Sequence, residues 1–459
     1  MASPEHAAEL HGFHTSLFSG GSREAIRASE FDATVDAVIA ARRDRPAMPA
    51  PRALREPKTR ADMLLPVDPA CVDVVLTSSP IRSNPSIAMV QQVIESLAHL
   101  PGISQCPLTL VFDGYTLAEE EAHKSGRITA ESAERYHAYV AATKTWVVGH
   151  YPRAQHAVTR SMAFHFTRHE ARPFRLTEYY ASLAEADAAL PPPPIQQLQR
   201  FYAAHPTHAS MEIETTVPLP QRRPRAVVRF IEAAPFDAGR IGFAWAVKLG
   251  MWFAQSPYIL QLQHDWEFIA PIDIHGLVSC MERHSEAVQY IAFMGKRSLS
   301  YADRIAPARG LPPADAMPDY GVPLRRLFFF YDRNHLMRTA RYYRIMVHAS
   351  GAAFKFSRGD FIEDTYGQAM TAQCRRSGAT MEERLAVHDQ YGVFLNYPHD
   401  GAEQQLRHLH GRKFMTEAER DRAIRYALEQ QAERTSSPKP RSRSVSSSVS
   451  DASSASKQA

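Results

Sequence analysis

Cysteine is scarce in this 459-residue chain: Cys71, Cys106, Cys280 and Cys374 stand far apart, and no two form a Cys-x-x-Cys pair. That spacing argues against a thiolate zinc cluster and against a disulfide-stapled small fold, and it fits a reducing compartment. Long apolar runs are also missing. No stretch of about 18 apolar residues occurs, so no transmembrane helix is expected. The opening MASPEHAAELHGFH lacks the charged-then-apolar order of a secretory signal. Neither sign of charge dominates: 53 Lys and Arg against 49 Asp and Glu leave a formal charge of +4. Much of that basic excess falls in loops and the C-terminal tail, so composition makes no case for a dedicated nucleic-acid binder. The expectation is a cytoplasmic protein without a membrane span or a specific nucleic-acid partner.

What is present is a globular composition, 44% hydrophobic and 22% charged, with length for one large core. Residues 1–65, rich in Ala, Arg and Pro, read as a largely irregular N-terminal extension with one helix, Glu30 to Arg43. From Val72 the pattern changes. VDVVLTS is a β-branched run suited to a strand buried on both faces. After SPIRS, Asn84 and Pro85 suit the cap and first residue of a helix, and Ile87, Val90, Ile94 and Leu97 recur at helical spacing. PLTLVFDGY is a second strand, ending at Asp113-Gly114. Strand, helix and strand in this order form a βαβ unit with a parallel pair.

Between about 115 and 225 the pattern weakens. Glu131 to Thr145 reads as a helix and TWVVGHY (145–151) as a short strand. PPPP at 191–194 reads as a solvated excursion, so the region is taken as an insertion lying over a sheet. AVVRFIE (226–232) restores a strand. The most informative stretch follows, GRIGFAWAVKLGMWFAQSPYILQLQHDWE (239–267): a nearly all-apolar helix, a turn at Ser256-Pro257, and a strand from Tyr258 to Leu262. That strand delivers His264, Asp265 and Glu267 at its carboxyl end, where open α/β sheets place ligands and metals. Further on, Ile274 to Glu282 reads as a helix, QYIAFMG (289–295) as a strand and Ser300 to Tyr320 as a loop. LRRLFFFYD (324–332) and YYRIMVH (342–348) read as strands. Thr416 and Glu419 form a capping box for a helix over 416–434, and residues 435–459 read as a disordered Ser/Arg-rich tail. Phosphorylation of its Arg-Ser repeats would turn a basic segment acidic. An inert solubilising tail is the plainer reading.

Taken in order, TSSPIRSNPSIAMVQQVIESL, LVFDGY, the helix before QHDWE, FIEDTYGQ and LRHLHGRKF resemble nucleotide-sugar glycosyltransferases of the GT-A fold, broadly like glycosyltransferase family 2, over residues 70–413. The resemblance implies an α/β fold with a mixed, mostly parallel sheet flanked by helices, occupying 66–415 with the insertion at about 115–225. It implies a donor of the UDP- or GDP-sugar type, a hydroxyl acceptor and a Mn²⁺ or Mg²⁺ ion. The first two strand ends would hold base and ribose, a DxD-type motif the metal and diphosphate, and a later Glu-Asp pair the acceptor. In some branches a histidine near the C-terminal end completes the metal site. Here HDWE stands in place of Asp-x-Asp, and reads either as Gln263-x-Asp265 or as Asp265-x-Glu267.

Each candidate has a chemical and an ordinary reading. Asp265 and Glu267 alternate on an extended segment, so both can face one side and offer oxygens to a hard cation, with His264 beside them for the donor. Otherwise they are solvated turn acids. Thr77, Ser79 and Asp113 end strands at the expected ligand crevice, yet a strand-end acid commonly just opens a turn. Lys248 is nearly the only charge in its helix. It would either meet the diphosphate or snorkel to water. Of the acids in GDFIEDTYGQ, Glu363 or Asp364 would be the general base for an inverting attack, and otherwise they stabilise a helix start. His408 and His410 face one way if extended, and either would serve as the late metal ligand. Arg412 and Lys413 read as surface charges.

Two other functions stay open. A nucleotidyltransferase would want a Gly-rich loop after the first strand, whereas TSSPIRSNPS holds one Arg and no glycine. A catalytically inactive glycosyltransferase-like scaffold with an Arg-Ser interaction tail would account for the imperfect acidic motif.

Overall fold

β1 (Val72–Ser78) is buried from end to end, as its β-branched run requires of a strand covered on both faces. The computed structural model describes residues 64–165, 171–189, 224–347, 356–376, 378–398, 403–411 and 414. The expected helices at Glu30–Arg43 and 416–434, the PPPP run, Arg412, Lys413 and the Ser/Arg tail lie outside them. Contacts divide the chain into Met1–Lys413 and Phe414–Ala459, and the helices and strands described belong to the first unit.

α1 (Ala88–Glu95) turns Met89, Val90, Val93 and Ile94 inward. It begins at Ala88 rather than at Pro85, because residues 82–85 form a turn and the buried Asn84 amide makes no capping hydrogen bond. β2 (Leu108–Phe112) runs parallel to β1 with Leu108 opposite Val74. A small parallel pair follows, β3 (Thr116–Leu117) and β4 (Arg127–Ile128). α2 (Ala130–His150) is capped by the Thr129 hydroxyl, which accepts from the Ser132 N–H. TWVVGHY is therefore no strand. Tyr136, Tyr139, Val140, Thr143 and Val147 are buried at helical spacing, so the valines finish the stripe of α2.

β5 (His156–His165) and β6 (Ala171–Tyr180) pair antiparallel, and α3 (Leu183–Asp187) starts with a capping box from Ser182 and Glu185. This stretch does not lie over the sheet as an insertion; it lengthens the sheet, because β6 pairs antiparallel with β7 (Val228–Ala233). Its polar content hides it. Glu178 on β6 is fully buried because Arg160 and Arg229 pair with it.

α4 (Phe243–Trp252) is buried at every position and leads into β8 (Tyr258–Gln263), β9 (Trp266–Phe268), α5 (Ile274–Arg283) and β10 (Tyr290–Ala292). The segment expected as a loop contains a helical turn over 301–308. β11 (Leu324–Arg326) is shorter than LRRLFFFYD suggests. Beyond it, the Phe328 N–H donates to the Tyr301 hydroxyl and its carbonyl accepts from Thr371, so side chains replace a strand ladder. After β12 (His335–Arg338) comes α6 (Thr339–Val347), so the described part of YYRIMVH, residues 342–347, is helical. Tyr342, Tyr343, Ile345 and Met346 form a buried helical face, and the Tyr343 hydroxyl donates to the Met251 carbonyl of α4. A π-turn (Glu363–Gly367), α7 (Gln368–Cys374), α8 (Met381–Tyr391), β13 (Val393–Asn396) and β14 (Leu406–His408) complete the described chain. Periodicity gives no reading for α8 and β13.

The central sheet has ten strands in the order β11-β13-β10-β12-β8-β1-β2-β7-β6-β5, with β6, β11 and β12 opposed to the rest. It is a large, mixed, mostly parallel sheet between two helical layers. α1, α2 and α5 pack with Val74, Leu76 and Leu110 on one face. α4, α6 and α7 pack with Val75, Val111 and Ile259 on the other. β14 and β9 form a separate two-stranded ribbon. No helix among the described residues is long and apolar enough to cross a membrane.

Candidate functional site

From β1 the sheet grows through β2 to β7 on one side and through β8 on the other. Parallel sheets bind ligands at such a reversal, beyond the carboxyl ends of the strands. A cavity of about 470 Å³ lies there. Thr77 and Ser79 from the end of β1, and Gln263, His264 and Asp265 from the end of β8, line it. So do Arg240 and Phe243 at the start of α4, Phe361, and His408 and His410 beyond the ribbon.

Register explains the convergence. Thr77 lies opposite Gln263, and the His264 N–H donates to the Thr77 carbonyl at 3.2 Å. Across the ribbon Trp266 lies opposite His408, and the Leu409 N–H donates to the Asp265 carbonyl at 2.8 Å. These bonds carry His408 back over β8, so that its Nε2 comes within 3.0 Å of Asp265 Oδ2. The His408 ring stacks on Trp266 at 4.6 Å and the His410 ring lies 4.3 Å from it. His410 takes a left-handed φ of 54°, so it is not extended as the alternating reading required, yet it still reaches the pocket.

His264 is held by the end of β1. The Ser79 N–H donates to His264 Nδ1 at 3.2 Å, leaving Nε2 as the protonated nitrogen of the neutral ring. Ser78 Oγ lies 3.2 Å from the same nitrogen and 2.9 Å from the Tyr139 hydroxyl. Burial holds the imidazole below its ordinary pKa, against the opposing charge of Asp265, so the ring is neutral near pH 7. For Asp265 burial acts upward, but the hydrogen bond from His408 and the charge that His264 and His408 carry at acid pH, where the carboxyl titrates, prevail and hold it below the usual carboxylate range. Asp265 is therefore ionised and, at 19% side-chain exposure, open to the cavity.

Glu267 does not join it. The chain turns at His264-Asp265, and β9 then buries Glu267 under α1, where it pairs with Arg407 and accepts from Gln92 Nε2 at 2.7 Å. Asp113 lines the cavity, but its carboxylate accepts the N–H groups of Ile241 at 2.7 Å and Gly242 at 3.2 Å, with Arg240 at 3.5 Å. It anchors the approach to α4. Burial raises its pKa, and the Arg240 charge and the backbone donors oppose that rise. Lys248 is buried on α4 outside the cavity lining, and burial lowers its pKa to about 8. Glu363 and Asp364 lie just after Phe361 and do not line the cavity themselves.

Sequence reasoning passed over Arg240, Phe361 and Tyr139, and it took Asp332 for the end of a strand. Arg240 precedes the glycine at the start of α4 and was legible there. Tyr139, on α2, carries no local signal.

No group of three or more His, Cys, Asp or Glu side chains among the described residues is placed to hold a metal ion. What the cavity offers is the Asp265–His408 pair with His410 beside it. The carboxylate suits a hard ion that completes its shell with phosphate oxygens and water, and an imidazole can join it as a borderline ligand. No family model and no curated protein matches this chain.

Proposed function

We propose that this protein is a metal-dependent glycosyltransferase of the GT-A type, moving a sugar from a nucleoside diphosphate donor to a hydroxyl acceptor. The observation that carries the reading is the meeting of an ionised Asp265, the histidines 264, 408 and 410, and the hydroxyl-bearing end of β1 in one cavity at the reversal of strand order. Its volume of about 470 Å³ is that of a small-molecule site. The mixed sheet with helices on both faces accords with the GT-A arrangement.

In this reading Thr77 and Ser79 receive the base and ribose of a UDP- or GDP-type donor. His264 offers a neutral Nε2–H, and Arg240 brings positive charge to the wall nearest α4. Asp265 and His408, with His410 in reach, hold Mn²⁺ or Mg²⁺. The bound ion supplies Lewis-acid neutralisation of the charge growing on the leaving diphosphate. Glu363 or Asp364, beside Phe361, takes the proton of the acceptor hydroxyl.

Calorimetry with UDP- and GDP-sugars in the presence of Mn²⁺ tests the proposal. Binding is expected in the wild type, and Asp265→Ala is expected to weaken its metal-dependent part by about 100-fold or more. A protein that binds no nucleotide sugar under these conditions would overturn the reading. Release of pyrophosphate from a nucleoside triphosphate and a sugar phosphate would replace it with nucleotidyl transfer. Metal binding without donor hydrolysis or transfer would replace it with an inactive scaffold.

A further inference from the structure

Asp332, between β11 and β12, lies against Glu363 of the π-turn, and the two are tied reciprocally. The Asp332 N–H donates to Glu363 Oε2, and the Glu363 N–H donates to Asp332 Oδ1, each at 3.2 Å. The pair adjoins the cavity on two sides. Gln263, which lines it, donates from Nε2 to the Asp332 carbonyl at 2.8 Å, and Phe361, which also lines it, stands two residues before Glu363. Asp332 is 2% exposed, and its Oδ2 is buried without a hydrogen-bond partner. A charged carboxylate is strongly disfavoured with one oxygen in that state. Glu363 is only half-buried.

We propose that Asp332 and Glu363 form a coupled carboxyl pair, in which Asp332 stays protonated and Glu363 is the member that exchanges a proton with the acceptor. The role of the exchange rests on the glycosyltransferase reading; the proton kept by Asp332 does not. Asp332 is a positioning residue, since it acts through Glu363.

The surroundings favour this division. Burial raises both groups, and for Asp332 the nearby charge of Glu363 and that of Asp364 add to the rise and outweigh the opposing backbone N–H groups of Glu363 and Ile362. For Glu363 the Asp332 N–H and the Arg333 charge work against burial and against Asp364. Arg333, itself buried, lies over the Tyr331 ring at 4.5 Å and donates to Ser298 at 2.5 Å. Tyr290 on β10 and Tyr342 on α6 face the pair, and burial raises both phenols so that they stay neutral. Two neighbouring carboxyls in a buried site do not both ionise readily, and the more exposed one loses its proton first. At neutral pH the pair then holds a single negative charge, on Glu363.

In the transfer step the acceptor hydroxyl gives its hydrogen as a proton to a Glu363 oxygen. The electron pair of the O–H bond forms the bond to the anomeric carbon. The bond from that carbon to the diphosphate oxygen breaks, and its pair leaves with the nucleoside diphosphate. Glu363 afterwards passes the proton to water.

Infrared titration of the full chain tests the pair without any sugar donor. The wild type is expected to show a carboxylic-acid band persisting at neutral pH that Asp332→Asn removes. Glu363→Gln is expected to lower the midpoint of that band by about one pH unit or more, because the neighbouring charge is gone. A merely structural Asp332 would not respond to Glu363→Gln. If Asp332→Asn fails to fold by circular dichroism, the Glu363→Gln titration decides alone. Absence of an Asp332-dependent band at neutral pH, or an unchanged midpoint in Glu363→Gln, overturns the proposal. A band that behaves as expected in a protein that transfers no sugar overturns the glycosyltransferase reading only.

Discussion

Lys248 illustrates how one side chain can carry a cost that its neighbours do not reveal. It is 6% exposed on a helix whose other residues are apolar or glycine, and burial lowers its pKa from 10.5 to about 8. Between those values the unfolded chain binds more protons than the folded one, so stability contributed by this group rises with pH across that window. Below about pH 8 the full penalty of burying an ammonium applies. Lys248→Met should therefore stabilise the protein at pH 7 by up to about 3 kcal/mol, less whatever the contacts of the ammonium return. Thermal melts of both proteins should converge above about pH 10.5, where the lysine is neutral in either state. A gain that did not shrink with pH would point to packing instead. Asp265 is the contrasting case: the hydrogen bond from His408 favours its ionised form despite burial, which is what a cation site requires. That an acid follows β8 at the cavity was legible in HDWE. That Glu267 turns away was not, because the turn at His264-Asp265 breaks the alternation on which the paired-acid reading depended.

Among the elements, α4 packs closely on the sheet. A Cβ on Gly250 would lie 2.5 Å from Val75 Cγ1 and 3.2 Å from Val111 Cγ2, so this glycine sets how near the helix comes to β1 and β2. The N-terminal end of α4 is fixed too, by Asp113 at the end of β2 and by Gly242, whose φ of 85° brings it against Gly359. Gly250→Ala gains about 1 kcal/mol of helix propensity but overpacks the interface by about 1 to 3 kcal/mol. A lower midpoint in urea is the expected result, and an unchanged one would mean that α4 shifts freely. Elements of continuous apolar character, β1, β2, α4 and β8, were readable because burial on both sides leaves a composition with few alternatives. YYRIMVH was misread because a short apolar run suits either period, and its contact with α4 decided for the helix.

Across the chain, the far ends of β1, β6 and β7 are joined by a buried ion cluster. Arg229 Nε lies 3.1 Å from Glu178 and its Nη1 3.8 Å from Asp73, all three fully buried, while Arg160 on β5 holds Glu178 at 2.9 Å. Asp73 also accepts the N–H groups of Gln255 and Ser256 at 2.7 Å, just before β8. Removing one partner leaves buried charge uncompensated, so Arg229→Met should cost about 3 to 5 kcal/mol by chemical denaturation. A smaller loss would mean that Arg160 and Arg225 neutralise the acids without it. This cluster also shows why β5 and β6 were hidden: their buried positions include charges, and only the pairing across strands makes such a strand stable. By itself the sequence determined the α/β class, the strands flanking the reversal point and the acid at the end of β8, because apolar burial and chain order are written locally. Tertiary structure alone decided which acids meet the cavity, how far the sheet extends and that Asp332 lies against Glu363. Those outcomes depend on strand register and on partners far apart in the chain, 185 residues in the case of Ser79 and His264, and no local pattern encodes them.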